Sequence, residues 1–74
     1  METIDARGLS CPQPVMLCKK KIDGGEKVFK ILVDDSCAEG NIKRIAKNKN
    51  YLFEVIDKGN DEKEIILKKE SNNA

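Results

Sequence analysis

The sequence predicts an α/β two-layer sandwich in which two helices cover one face of a four-stranded mixed sheet. Three observations lead there. Strand-like and helix-like stretches alternate along the 74 residues in the order β-α-β-α-β-β. A chain of this length supports one core, and hence one domain over residues 1–74. Right-handed crossovers that move in one sense then place both helices on the same side of the sheet. The first two connections are expected to carry parallel pairings, and the last two strands to form a hairpin.

Thr3 to Ala6 is a short strand candidate with Ile4 as its apolar contributor. Arg7-Gly8-Leu9-Ser10 connects it to a helical stretch from Pro12 to about Asp23. Val15, Cys18 and Ile22 recur there at steps of three and four, which is one helix face. Lys19, Lys20 and Lys21 lie toward the end of this helix, where cations suit the dipole, and they read as a solvated helix end. Asp23-Gly24-Gly25 stops it. Glu26 to Val33 is the clearest strand, with Phe29, Ile31 and Val33 on one face and Val28, Lys30 and Leu32 on the other. Asp34-Asp35-Ser36 breaks it, as a turn and cap signal. Ser36-Cys37-Ala38-Glu39 fits a capping box, so a second helix is expected near Cys37 with Ser36 as its cap. Ala38, Ile42, Ile45 and Ala46 form its apolar face, and Asn48-Lys49-Asn50 ends it. Tyr51 to Ile56 is a third strand. Lys58-Gly59-Asn60-Asp61 turns the chain into a fourth, about Lys63 to Lys68. Ser71 to Ala74 is a polar tail expected to fray. The second sheet face has no helix to cover it, and Val28, Leu32, Leu52, Ile56 and Ile66 are candidates to point that way.

Composition excludes several functions. No apolar run approaches the ~18 residues of a membrane span. The start, Met1-Glu2-Thr3-Ile4-Asp5, lacks the basic and apolar regions of a signal peptide, so a cytoplasmic location and no membrane partner are expected. Fourteen basic residues against thirteen acidic ones leave +1, too little to make an acidic polymer the main partner. One Tyr, two Phe and no Trp offer few platforms for stacking bases, so direct nucleic-acid binding is not expected. The absence of histidine removes His-based general base catalysis, Cys–His dyads and His metal ligands.

Three cysteines remain, Cys11, Cys18 and Cys37, with six and eighteen residues between them. No C-x-x-C pair exists, and neither spacing matches a zinc or iron–sulfur pattern, so no metal and no cofactor are expected. Cys18 lies on the apolar face of the first helix and reads as core. A helical rise of ~10.5 Å separates it from Cys11, too far for a disulfide partner. Cys37 stands at a helix start behind a serine cap and reads as structural. Cys11 is the informative one. Two prolines within three residues, Pro12 and Pro14, are tolerated only in a first helical turn. The residue before a proline resists the helical region, which favours Cys11 as the N-cap and Pro12 as the first helical residue. A sulfur there faces free amides and the positive dipole end, which favour thiolate, and the same amides could hold a persulfide. Arg7 adds positive potential if its loop folds back.

The stretch Ile4-Asp5-Ala6-Arg7-Gly8-Leu9-Ser10-Cys11-Pro12-Gln13-Pro14-Val15, followed by Lys19-Lys20, resembles the signature of the TusA/SirA/YedF family. The match is nearest to the YedF branch, which is associated with selenium metabolism. The resemblance runs from Thr3 to about Lys69. It implies a two-layer α/β sandwich and a sulfur-carrier, or sulfurtransferase, role. Carried over, Cys11 accepts sulfane sulfur as a persulfide from a cysteine desulfurase or another donor, with Pro12 and Pro14 as structural escorts and Arg7 and Gly8 as supporting motif residues. The sulfur then passes to a downstream relay protein, for example a DsrE-like one, toward tRNA thiolation, cofactor sulfuration or selenium metabolism. Cys18 and Cys37 inherit no role. The competing reading is a non-catalytic regulatory or binding module that uses the open sheet face on protein or RNA. The Cys-Pro-Gln-Pro stretch favours the carrier.

Overall fold

A computed structural model describes residues 1–70. Its elements are β1 (Glu2–Asp5), α1 (Gln13–Asp23), β2 (Val28–Val33), α2 (Ser36–Asn48), β3 (Tyr51–Gly59) and β4 (Glu62–Lys69). The expected order β-α-β-α-β-β and the four-stranded mixed sheet are both present. The polar tail expected over residues 71–74 lies outside the described residues.

The strands line up as β1-β2-β4-β3. β1 pairs with β2 in parallel, Ile4 opposite Ile31 and Asp5 opposite Leu32. The second expected parallel pairing, β2 with β3, is not made. β4 lies between those strands and is antiparallel to both, with Ile65 opposite Ile31 on one side and Val55 on the other. Composition explains the arrangement. The run Ile65-Ile66-Leu67 suits a central position, whereas β3 carries Glu54, Asp57 and Lys58, the charged residues that protect an edge from further pairing. The β3–β4 hairpin turns at Asn60 and Asp61, both with positive φ (53° and 63°), the backbone that a tight two-residue hairpin needs. β3 runs three residues past its expected end, to Gly59, through a register shift between Asp57 and Gly59.

Alternation along the strands sorts the residues into two faces. Phe29, Ile31, Val33, Ile65 and Leu67 are buried on one of them. Against them pack Pro14 and Cys18 from α1 and Ala38, Ile42 and Ala46 from α2, all buried. Both helices thus serve one core on one side of the sheet. Val15 and Ile22 flank it half-buried, and Tyr51 closes its far end. The Tyr51 ring meets Phe29 edge-on at 6.2 Å, and its hydroxyl donates to the Glu26 carbonyl. Burial, first of all, pushes the Tyr51 phenol above its ordinary pKa. The opposite face is mixed: Val28 and Leu52 are exposed, and Glu64 sits 4.0 Å from Lys30 and 3.8 Å from Lys58.

Candidate functional site: a paired thiol at the sheet edge

The parallel pair β1 and β2 ends nearly flush, so the segments leaving those two strands emerge side by side. One carries Cys11, the other Cys37. Two aspartates organise both segments. Asp34 Oδ2 accepts from the Gly8 N–H at 2.9 Å and ties the first segment to the end of β2. Gly8 has φ +79°, a conformation side chains resist, so the residue type fits the turn. Asp35 holds an extended backbone and its Oδ1 accepts from the Cys37 N–H at 3.1 Å, capping α2. The expected cap, Ser36, is instead the first helical residue. A carboxylate one residue earlier reaches the free Cys37 amide and carries the charge that favours the positive helix end. Glu39, the other half of the expected capping box, pairs with Lys43 at 3.1 Å.

The start of α1 also differs from expectation. Pro12, not Cys11, occupies the N-cap, and Gln13 is the first helical residue. The Gln13 N–H donates to the Ser10 carbonyl at 2.9 Å, which closes a turn over Cys11 and Pro12 before the helix begins. The Cys11–Pro12 peptide bond is cis. Pro14 falls within the first turn, buried, where its missing N–H costs nothing. Cys11 therefore stands just outside the helix, half-buried.

Among the described residues, two side chains of α2 donate to the Cys11 sulfur. Cys37 Sγ lies 2.8 Å away and Asn41 Nδ2 3.3 Å. Asn41 Nδ2 also lies 3.5 Å from Cys37 Sγ, so one amide bridges both sulfurs. Asn41 reaches them because it follows Cys37 by one helical turn. All three cysteines are free thiols. The hydrogen bond that Cys37 donates to Cys11 holds the Cys37 thiol above its ordinary pKa. Desolvation and the negative charge of Cys11 and Asp35 act the same way, and the Asn41 hydrogen bond opposes them.

Arg7 does not lend its charge to Cys11. Its guanidinium forks onto the Asp5 carboxylate at 2.8 Å and reaches Glu62 at 3.4 Å. Two carboxylates close at hand outcompete a thiol for a bidentate cation. The same fork lowers the Asp5 pKa to about 2. Cys18 sits in the core as expected, fully buried, where desolvation pushes its thiol up to about 12. Among the described residues no group of three or more His, Cys, Asp or Glu is placed to hold a metal ion, and no helix is long and apolar enough to cross a membrane.

The structure gathers Gly8, Cys11, Pro12 and Pro14 around one site and takes Arg7, expected there as a supporting residue, away from it, while Cys37, expected to be structural, and Asn41, to which the sequence reading assigns no role, join it. The missed pair had a signal. Segments that follow neighbouring parallel strands emerge at the same end of the sheet, and Asn41 lies four residues beyond Cys37 on a predicted helix.

Comparison with known proteins agrees with the fold. The family model described as "Sulfurtransferase TusA" matches residues 2–69. A candidate sulfur carrier protein of Archaeoglobus fulgidus is 37% identical over 49 residues, a match spanning 64% of this chain and 64% of that protein, just under two thirds of its length. The crystal structure of a SirA-like protein from Desulfitobacterium hafniense superposes with a TM-score of 0.84 at 35% identity, covering 92% of this chain and 96% of the other. With its fold, its Cys-Pro-Gln-Pro segment and a family match over nearly its whole length, the chain belongs to the sulfurtransferase TusA family.

Proposed function

We propose that this chain is a sulfur carrier that accepts sulfane sulfur on Cys11 as a persulfide and relays it to an acceptor. The observation that carries the reading is the convergence of the Asn41 amide and the Cys37 thiol on the half-buried Cys11 sulfur. Hydrogen-bond donors aimed at a sulfur stabilise its anionic forms, thiolate and persulfide alike. In loading, the Cys11 thiolate attacks the outer sulfur of a donor persulfide, and the donor's cysteine leaves as its thiolate. The chain has no histidine, so the donor must bring its sulfur already activated. A cysteine desulfurase is a donor of that chemistry, and a thiol-bearing relay protein is an acceptor of it.

The test is intact-mass and peptide mass spectrometry after incubation with a cysteine desulfurase and cysteine. Wild type gains one sulfur that reduction removes. Cys11→Ser loses this gain, while Cys18→Ser and Cys37→Ser still acquire it. Undiminished loading of Cys11→Ser, with sulfur mapped to another cysteine, would overturn the proposal.

A further inference from the structure

We infer that Cys37 is a resolving thiol, which discharges the sulfur carried on Cys11 as hydrosulfide and leaves a Cys11–Cys37 disulfide. The inference rests on the carrier role of Cys11 and adds a second reaction at the same site. Cys37 is already at the inner sulfur: the two Sγ atoms are 2.8 Å apart, against about 2.05 Å for a disulfide. The approach involves two separate elements, since Cys11 precedes α1 and Cys37 lies in the first turn of α2. Two adjacent aspartates fix them, Asp34 on Gly8 and Asp35 on the Cys37 amide.

The step balances without an outside oxidant. The persulfide anion on Cys11 carries its outer sulfur bonded to Sγ. The Cys37 sulfur attacks Cys11 Sγ, a new S–S bond forms, and the bond from Sγ to the outer sulfur breaks. The outer sulfur leaves with the bonding electrons and takes the proton that Cys37 gives up, departing as HS⁻. The two cysteine sulfurs are oxidised by one electron each, and the departing sulfur is reduced by two. Asn41, whose amide touches both cysteine sulfurs, can hold negative charge on the Cys37 sulfur as it gives up its proton and attacks. A dithiol reductant then returns the disulfide to two thiols.

A site of this kind delivers sulfur at the sulfide level as well as the sulfane level. An acceptor thiol that reaches the outer sulfur takes it as sulfane sulfur. Without such a thiol, Cys37 releases it as hydrosulfide. The recipient class for the second route is an electrophilic carbon or a metal centre that takes up free hydrosulfide.

The experiment loads the full chain with a cysteine desulfurase and cysteine, removes the donor, and follows the chain anaerobically without reductant. Wild type is expected to lose its extra sulfur, release an equivalent of hydrosulfide, and yield a peptide pair joined through Cys11 and Cys37. Cys37→Ser is expected to keep the persulfide at least ~10-fold longer, because it loses an intramolecular attacking group. Equal lifetimes in the two proteins would overturn the inference. So would sulfur that moves to Cys37 without hydrosulfide release. Either result leaves loading at Cys11 standing, whereas normal loading of Cys11→Ser removes both readings together. Should Cys37→Ser fail to fold, the wild-type peptide pair and the hydrosulfide yield decide the matter by themselves.

Discussion

Three thiols of one small chain occupy three chemical settings. Cys18 is fully buried among apolar side chains, and desolvation raises its pKa to about 12, so almost none of it is thiolate at neutral pH. Iodoacetamide should label Cys11 and Cys37 in the native protein and reach Cys18 only on unfolding, which peptide mass spectrometry over time resolves. Native labelling of Cys18 as fast as Cys11 would contradict its packing. Asp5 and Arg7 lie at the opposite extreme, a pair in solvent. The folded pKa of Asp5, about 2, lies below its ordinary value of 3.8, so its contribution to stability is complete above 3.8 and fades as pH falls toward 2. Exposure and screening keep that contribution small. Asp5→Asn should therefore flatten the acid side of the stability profile in low salt and change little in high salt, as followed by circular dichroism between those pH values.

At the scale of elements, the two adjacent aspartates after β2 divide the labour. Asp35→Ala should cost about 1 kcal/mol, the worth of an N-cap, read as a lower denaturant midpoint. Gly8→Ala should cost roughly 1–2 kcal/mol through its φ of +79° alone, since a Cβ there meets nothing within 4 Å. Both changes loosen the approach of Cys11 to Cys37, so both should also shorten the persulfide's commitment to the internal disulfide relative to transfer outward. Much of this level was legible in the sequence. The periodic stripe Val15, Cys18, Ile22 locates the buried side of α1, and the alternation Phe29, Ile31, Val33 locates that of β2, because burial imposes those periods directly. The cap positions were not, because Asp35 and Ser36 are both good caps, and only the geometry of the turn decides between them. Nor was the place of β4, because pairing order depends on which strand edges meet across long separations. Periodicity within a strand carries no record of its neighbours. The parallel pairing of β1 with β2 that brings Cys37 toward Cys11 was legible, but the path of each connection beyond its strand was not, and Cys37 reads from its own neighbours as a structural residue behind a cap.

For the molecule as a whole, the centre of the sheet carries most of the stability. Ile65, buried between Ile31 and Val55, should cost about 2–5 kcal/mol as Ile65→Ala. A domain of this size has only roughly 5–15 kcal/mol in total, so the variant should melt far earlier than wild type. Leu52, 56% exposed on the other face of the neighbouring strand, should change stability by less than ~1 kcal/mol as Leu52→Ala. Denaturant titrations of the two side by side test the contrast. β4, one of the two central strands, is also the last strand among the described residues, and this governs the timing of assembly. A nascent chain lengthens from its N-terminus, so β1, α1, β2, α2 and β3 are all made before the strand that joins β2 to β3 exists. Until β4 arrives, the facing edges of both strands stay bare and the core lacks Ile65 and Leu67. Folding that begins early has no stable stopping point, and the chain completes its structure in one late, cooperative event. A fragment ending at Gly59 should therefore show no cooperative melting transition, although it contains five of the six elements in full.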